Sequence, residues 1–374
     1  MDSDQETTLL QVAAVSHPGE VVVDYLEFHG WTQRDLSRRT GLTPKTISEI
    51  CNEKAPVTPQ TALAFERVLQ RPARFWLNLQ RQYDEAKARQ QEFIRSAHWV
   101  DWAHKFPLKE MKKLRFFNPD KSEVDALLSF LGVSSPESWD AVWHTCDVAY
   151  RQTRKFTQSV ESISAWIRAT ELVAAELQTI EFNEQSLRSS IDKLRQLTRM
   201  RADEVMEPIQ SICAAAGVAV VWVPELPHSG ISGCARWLSD KKALVGLTLR
   251  YKTDDQMWFT FFHELGHVLL HRHKRSFVLD NAANNLSDRI VDPEMQRFET
   301  EANQFARDTL IPPTTLTEFL RKNDFTNESI HDFAEAIGVG PGIVVGRLQF
   351  EGLLKPHQGN ALKQKLDWRF AEDA

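Results

Sequence analysis

His263-Glu264-Leu265-Gly266-His267, set inside WFTFFHELGHVLLH, is the strongest chemical signal in the chain. Residues four apart share a helix face, so His263 and His267 can grip one Zn²⁺, with Glu264 beside the metal where it can take a proton from bound water. Phe259, Phe262, Leu265, Val268 and Leu269 make the rest of that helix apolar and therefore buried. A buried helix does not hold two imidazoles and a carboxylate without a partner for them. Catalytic zinc takes about three protein ligands and a water, so a third ligand must come from elsewhere. RFETEANQFA, further along, reads as a helix in which Glu299 and Asn303 share a face. Glu299 is the favoured third ligand, and Asn303 is placed to hydrogen-bond a ligand side chain. Glu301 points roughly opposite on that helix and reads as a solvent or capping carboxylate.

Three other groups compete for a place near the metal. His273 has the spacing of the extended HExxHxxGxxH motif, but Leu270 stands where that motif turns the chain at Gly. The helix is expected to continue and carry His273 away. His271 stays near the same face, either to orient the site or a substrate oxygen, or as a surface residue of HRHKR. Cys234, in SGISGCARW, could bring a thiolate to the metal; an ordinary buried cysteine is the simpler reading.

These residues need elements to hold them. Residues 217–223 and 243–249 are apolar, β-branched runs expected to be strands, followed by a long helix from about Gln256, so this part is α+β. The strand at 243–249 is expected to offer an edge for an extended substrate. Residues 18–90 read as short helices: Thr32, Thr43 and Thr58 are N-cap candidates, Pro44 and Pro59 follow two of them, and Gly30 closes the first helix. Thr32 to Ile50 has helix-turn-helix spacing, in which the second helix enters the major groove. Its exposed positions are expected to be Lys45, Thr46, Ser48, Glu49 and Asn52, with Gln33 opening the helix before it. Residues 91–200 read as a helical connector poor in chemistry. From 326, two helices around Gly338-Val339-Gly340-Pro341-Gly342 form a small tail.

The whole is expected to be multi-domain: an all-α helix-turn-helix domain (1–90), the connector (91–200), an α+β zincin-like domain (201–325) and the helical segment (326–374). With 374 residues, 21 Phe and 11 Trp, the chain can bury substantial cores, which excludes disordered and fibrous classes. A net charge of −6 argues against general polyanion binding but allows a local basic face. The four cysteines form no CxxC pair, no apolar run is long enough to span a membrane, and the acidic N-terminus lacks signal-peptide character. A cytoplasmic setting is expected, without membrane contact.

Residues 17–90, through HPGEVVVDYL, TQRDLSRRTGLTPKTISEI and ARFWLNLQ, resemble the HigA-like antitoxin branch of the XRE helix-turn-helix family. Residues from about 200 to 350, through FHELGHVLLH and ETEANQFARDTLIP, resemble the ImmA/IrrE metallopeptidase family. That resemblance implies zinc on His263, His267 and Glu299, with Glu264 as catalytic base. It also implies a DNA-binding regulator whose peptidase domain cuts a repressor, a toxin-like partner or itself. Its partners would be an operator duplex and a protein substrate, with a homodimer as the default. The alternative is a repressor or antitoxin whose zinc domain is a sensor or scaffold without turnover. The chain departs from the antitoxin pattern at Asn52-Glu53-Lys54, where a Gly usually follows the recognition helix.

Overall fold

The computed structural model describes residues 15–117, 122–151, 159–202, 204–248, 252–272, 278–280 and 293–366. They belong to two compact units, Met1–Val100 and Asp101–Ala374.

The first unit holds α1 (Pro18–His29), α2 (Gln33–Thr40), α3 (Pro44–Cys51), α4 (Pro59–Leu69) and α5 (Ala73–Ala97). Side-chain caps set the starts. Thr32 accepts from the Asp35 N–H while Asp35 accepts from the Thr32 N–H, a reciprocal box that satisfies two orphan donors. Thr43 and Thr58 cap α3 and α4, each followed by a proline whose missing N–H costs nothing at that position. Gly30 and Gly41 close α1 and α2 in left-handed geometry. After α3 the left-handed position falls on Glu53, at φ 59°, so a side chain sits where the related pattern has Gly. The five helices close over Val22, Leu36, Ile47, Ile50, Phe65 and Trp76, all essentially inaccessible.

After a short helical turn at Val100–Ala103, the second unit holds α6 (Leu108–Lys113), α7 (Glu123–Leu131), α8 (Pro136–Arg151), α9 (Val160–Glu176), α10 (Glu184–Gln196) and α11 (Met206–Ala214). A four-stranded mixed sheet follows, with β1 (Val218–Trp222), β2 (Gly233–Ser239), β3 (Lys242–Leu247) and β4 (Val278–Asp280) in the order β1-β3-β2-β4. β1 runs parallel to β3, and β2 is antiparallel to both β3 and β4. The expected substrate edge at 243–249 is therefore corrected: β3 is an interior strand with both sides paired, and residue 249 lies outside the described residues. β2 is a strand without a local apolar pattern. GCARWLS breaks its apolar run with Gly233 and Arg236, so it lacks the pattern that marks β1 and β3.

Residues expected as a connector are part of this packing. The Trp166 indole of α9 donates to the Val223 carbonyl at 3.1 Å, and Leu187 and Leu194 of α10 lie in the main core. α12 (Asp254–Leu270) covers the sheet and is followed by α13 (Pro293–Leu310), α14 (Pro313–Lys322), α15 (Asn327–Ile337) and α16 (Pro341–Phe350). Among the described residues no helix is long and apolar enough to cross a membrane. The N-terminus of α12 is tied down by the last described segment: Lys363 Nζ meets the Asp255 carboxylate at 2.7 Å, and the Gln364 N–H donates to Asp254 at 3.0 Å.

Candidate functional site

α12 and α13 pack closely enough to share one site because of Gly266. A Cβ added there would stand 3.1 Å from Phe305 Cδ1 and 3.2 Å from Ala302 Cα, so the middle of HELGH is a contact point between the helices. His263 and His267 lie on that buried side. Their Nε2 atoms are 3.0 Å apart, and the Glu299 carboxylate of α13 reaches them at 3.4 Å and 3.5 Å. Among the described residues this trio is the one group of metal-ligating side chains whose atoms converge on a common point.

The geometry fits zinc. Ligand atoms on a tetrahedral zinc with bonds of about 2.0–2.1 Å sit about 3.3 Å apart, and the three separations here bracket that edge. The ring partners fit as well. His263 Nδ1 faces Asn303 Oδ1 at 3.1 Å, an acceptor, so the proton belongs on Nδ1 and Nε2 is a bare lone pair. His267 Nδ1 faces His271 Nδ1 at 3.0 Å, and His271 Nε2 faces a Glu301 carboxylate oxygen at 3.0 Å. The carboxylate accepts from His271, whose other nitrogen then accepts from His267, which again leaves Nε2 bare. Two lone pairs 3.0 Å apart repel unless a cation lies between them. Burial, together with the neighbouring imidazoles, holds His267 well below the ordinary imidazole range, in the neutral form a metal takes.

Glu264 is fully buried beneath the start of β2. A Cβ at Gly233 would fall 2.8 Å from its Oε1, so that strand lies against the carboxylate only because residue 233 is glycine. Side chains alternate across the sheet, so Cys234 turns to the other face. There its Sγ is 4.0 Å from Thr170, and burial pushes the thiol up to about 12. It is a protonated core cysteine.

Two expectations about the end of α12 change. The helix stops at Leu270 and does not continue; His271 is its C-cap residue, at φ −122°, ψ 27°. His273 lies outside the described residues. Leaving the helix lets the His271 ring turn back against His267 and pack, tilted, on Phe298 with ring centroids 4.4 Å apart. Glu301, read from sequence as a solvent or capping carboxylate, is the hydrogen-bond partner of that ring. The Arg297 guanidinium 2.7 Å away, with His271, holds its carboxyl below the usual carboxylate range.

On the helix-turn-helix, Gln33, Lys45 and Asn52 are exposed, whereas Thr46, Ser48 and Glu49 are half-buried. Several are already engaged within their own helix. Thr46 and Thr43 hydroxyls are 2.8 Å apart, Lys45 lies 3.7 Å from Glu49, and the Asn52 amide donates to the Ser48 carbonyl at 2.7 Å.

The family profile described as an IrrE N-terminal-like domain matches residues 247–349, and one described as helix-turn-helix matches residues 25–76. Virulence-associated protein I of Dichelobacter nodosus is 36% identical over 75 residues, covering 20% of this chain and 69% of that protein. An uncharacterized HTH-type transcriptional regulator of Escherichia coli, YddM, is 28% identical over 79 residues, 21% of this chain and 84% of its own. Among solved structures, an addiction module antidote protein of a HigA family from Coxiella burnetii is 26% identical with a TM-score of 0.22, covering 23% of this chain and 95% of that one. A putative antidote protein of a plasmid maintenance system from Nostoc punctiforme is 29% identical, also with a TM-score of 0.22, covering 22% and 91%. The chain thus belongs to the XRE-type helix-turn-helix family through its N-terminal domain, and carries at its C-terminal end a domain of the IrrE/ImmA-like peptidase family.

Proposed function

We propose that this regulator's C-terminal domain is a zinc-dependent endopeptidase that hydrolyses a peptide bond in a repressor, a toxin-like partner or the chain itself. The convergence of His263, His267 and Glu299, with Glu264 adjoining, carries that reading. Bound there, zinc would supply Lewis acidity, polarising the scissile carbonyl and acidifying a water. Glu264, next to His263 in the chain, would accept a proton from the attacking water and return it to the departing amine. Asn303 and His271 keep the two imidazoles aimed. A cleavage assay on proteins encoded beside this one, and on the chain itself, tests the assignment. Wild type should cleave; Glu264→Gln should keep zinc and fold while cleaving nothing. Unchanged turnover in that variant contradicts the base, and a zinc-loaded wild type that cleaves none of these proteins selects the sensor reading.

The helix-turn-helix half is proposed to hold a palindromic operator as a homodimer, in the cytoplasm, with Gln33, Lys45, Thr46, Ser48, Glu49 and Asn52 facing the duplex. Base contacts are worth about 1–3 kcal/mol each, so Thr46→Ala with Asn52→Ala should weaken specific binding by orders of magnitude. Lys45→Ala should weaken all sequences alike and flatten the salt dependence. An electrophoretic shift against the protein's own promoter at two salt concentrations reads both effects. No retention above random competitor would make this domain a protein-binding module.

A further inference from the structure

We propose that Glu301 is a positioning residue that fixes, through His271, which ring nitrogen His267 presents to the metal; this rests on the zinc reading above. α13 then supplies more than the ligand Glu299. It anchors one imidazole of α12 directly, through Asn303 on His263 Nδ1, and the other through a relay that ends on Glu301. The relay has a direction because its outer end carries no proton to give. The ionised carboxylate only accepts, so His271 donates from Nε2, and its Nδ1 must accept from His267 Nδ1–H. His267 Nε2 is left as a lone pair facing His263 and Glu299.

Arg297 holds Glu301 in place on the same helix, and Phe298 packs against the intervening His271 ring. Remove the carboxylate and either tautomer of His271 satisfies its surroundings. His267 is then free to carry its proton on Nε2, where the metal must bind. A ligand imidazole whose outer partner is lost typically costs about 10–100-fold in metal affinity.

The test uses the full chain and two readouts that do not depend on turnover: zinc affinity by competition with a chromophoric chelator, and the His267 Nδ1–H resonance in ¹⁵N-labelled, zinc-loaded protein. Glu301→Ala should weaken zinc binding about 10–100-fold and let the ring proton exchange with water. Glu301→Gln, which keeps an acceptor, should recover part of both, and Gln304→Ala, exposed on the same helix, should change neither. A melting temperature lowered in Glu301→Ala with affinity and ring proton unchanged would mean a structural role only and overturn the proposal. If wild type takes up no zinc, the zinc reading falls by itself. The same ring proton followed in metal-free protein then decides the relay: loss in Glu301→Ala supports it, persistence overturns it.

Discussion

The two units bury polar groups very differently. In the helix-turn-helix unit the one buried titratable side chain among the described residues is His17, spent as the cap of α1, while the core is aliphatic and aromatic. In the second unit a single helix, α12, buries Asp254, Asp255, His263, Glu264 and His267, with His271 at its end. Burying charge costs stability unless it is paired, so a helix that concentrates it is shaped by chemistry more than by packing. The polar side chains of α3 in the first unit are exposed or half-buried, whereas the titratable ones of α12 in the second are enclosed.

The largest test of this contrast is in the apolar core of the first unit. Trp76→Ala should cost about 3–5 kcal/mol, enough to unfold that unit and abolish DNA retention. Zinc content should stay as in wild type, because every proposed ligand lies in the second unit. Circular dichroism melts and metal analysis read the two halves separately; loss of zinc in this variant would break the comparison.

A smaller effect concerns the polar burial on α12. Burial first, and then the Asp255 charge, push Asp254 up to about 6, although the Gln364 N–H and its helix N-terminus oppose this. The folded protein therefore holds this proton more tightly than the unfolded chain, whose carboxyl titrates near 4. Its contribution to stability is fully present below that value and is lost as pH rises through 6. Asp254→Asn should accordingly stabilise the protein at pH 7, by an amount of order 1–3 kcal/mol, and the advantage should vanish near pH 4. Melts of both proteins across that range check it. A variant less stable at pH 7 would show that the charged form is favoured in place.

The smallest effect lies in the turn after α3. Glu53 holds a left-handed conformation that costs a side-chain-bearing residue about 1–2 kcal/mol, against a smaller entropic cost of about 0.5–1 kcal/mol for glycine. Glu53→Gly should stabilise the first unit by a few tenths of a kcal/mol up to about 1. A denaturant midpoint that falls would mean the Glu53 side chain contributes more than its backbone costs.

The same contrast decides what could be read in the sequence. Caps and closing glycines are local, so Thr32, Thr43, Thr58, Gly30 and Gly41 announce the helices of the first unit directly. His263, His267 and the i, i+4 pair Glu299 and Asn303 are local patterns too, and their helices bring them together. What escaped depends on tertiary arrangement. β2 has no periodic apolar signal because it begins over Glu264 at Gly233 and carries Arg236 toward Glu171, 2.6 Å away. β3 reads as an edge only while β2 is unseen. Glu301 points away from Glu299 on its helix, yet reaches the site because His271 leaves α12 and turns toward it. The clamp from Lys363 and Gln364 onto α12 joins residues more than a hundred positions apart, and no local pattern encodes it.

α12 and α13 are proposed to enclose a zinc site made by His263, His267 and Glu299. Metal analysis of the purified full chain, with His267→Ala prepared alongside, tests it most directly. One zinc per wild-type chain and none in the variant is the predicted result; a wild type without zinc, or a His267→Ala protein that retains it fully, contradicts the assignment.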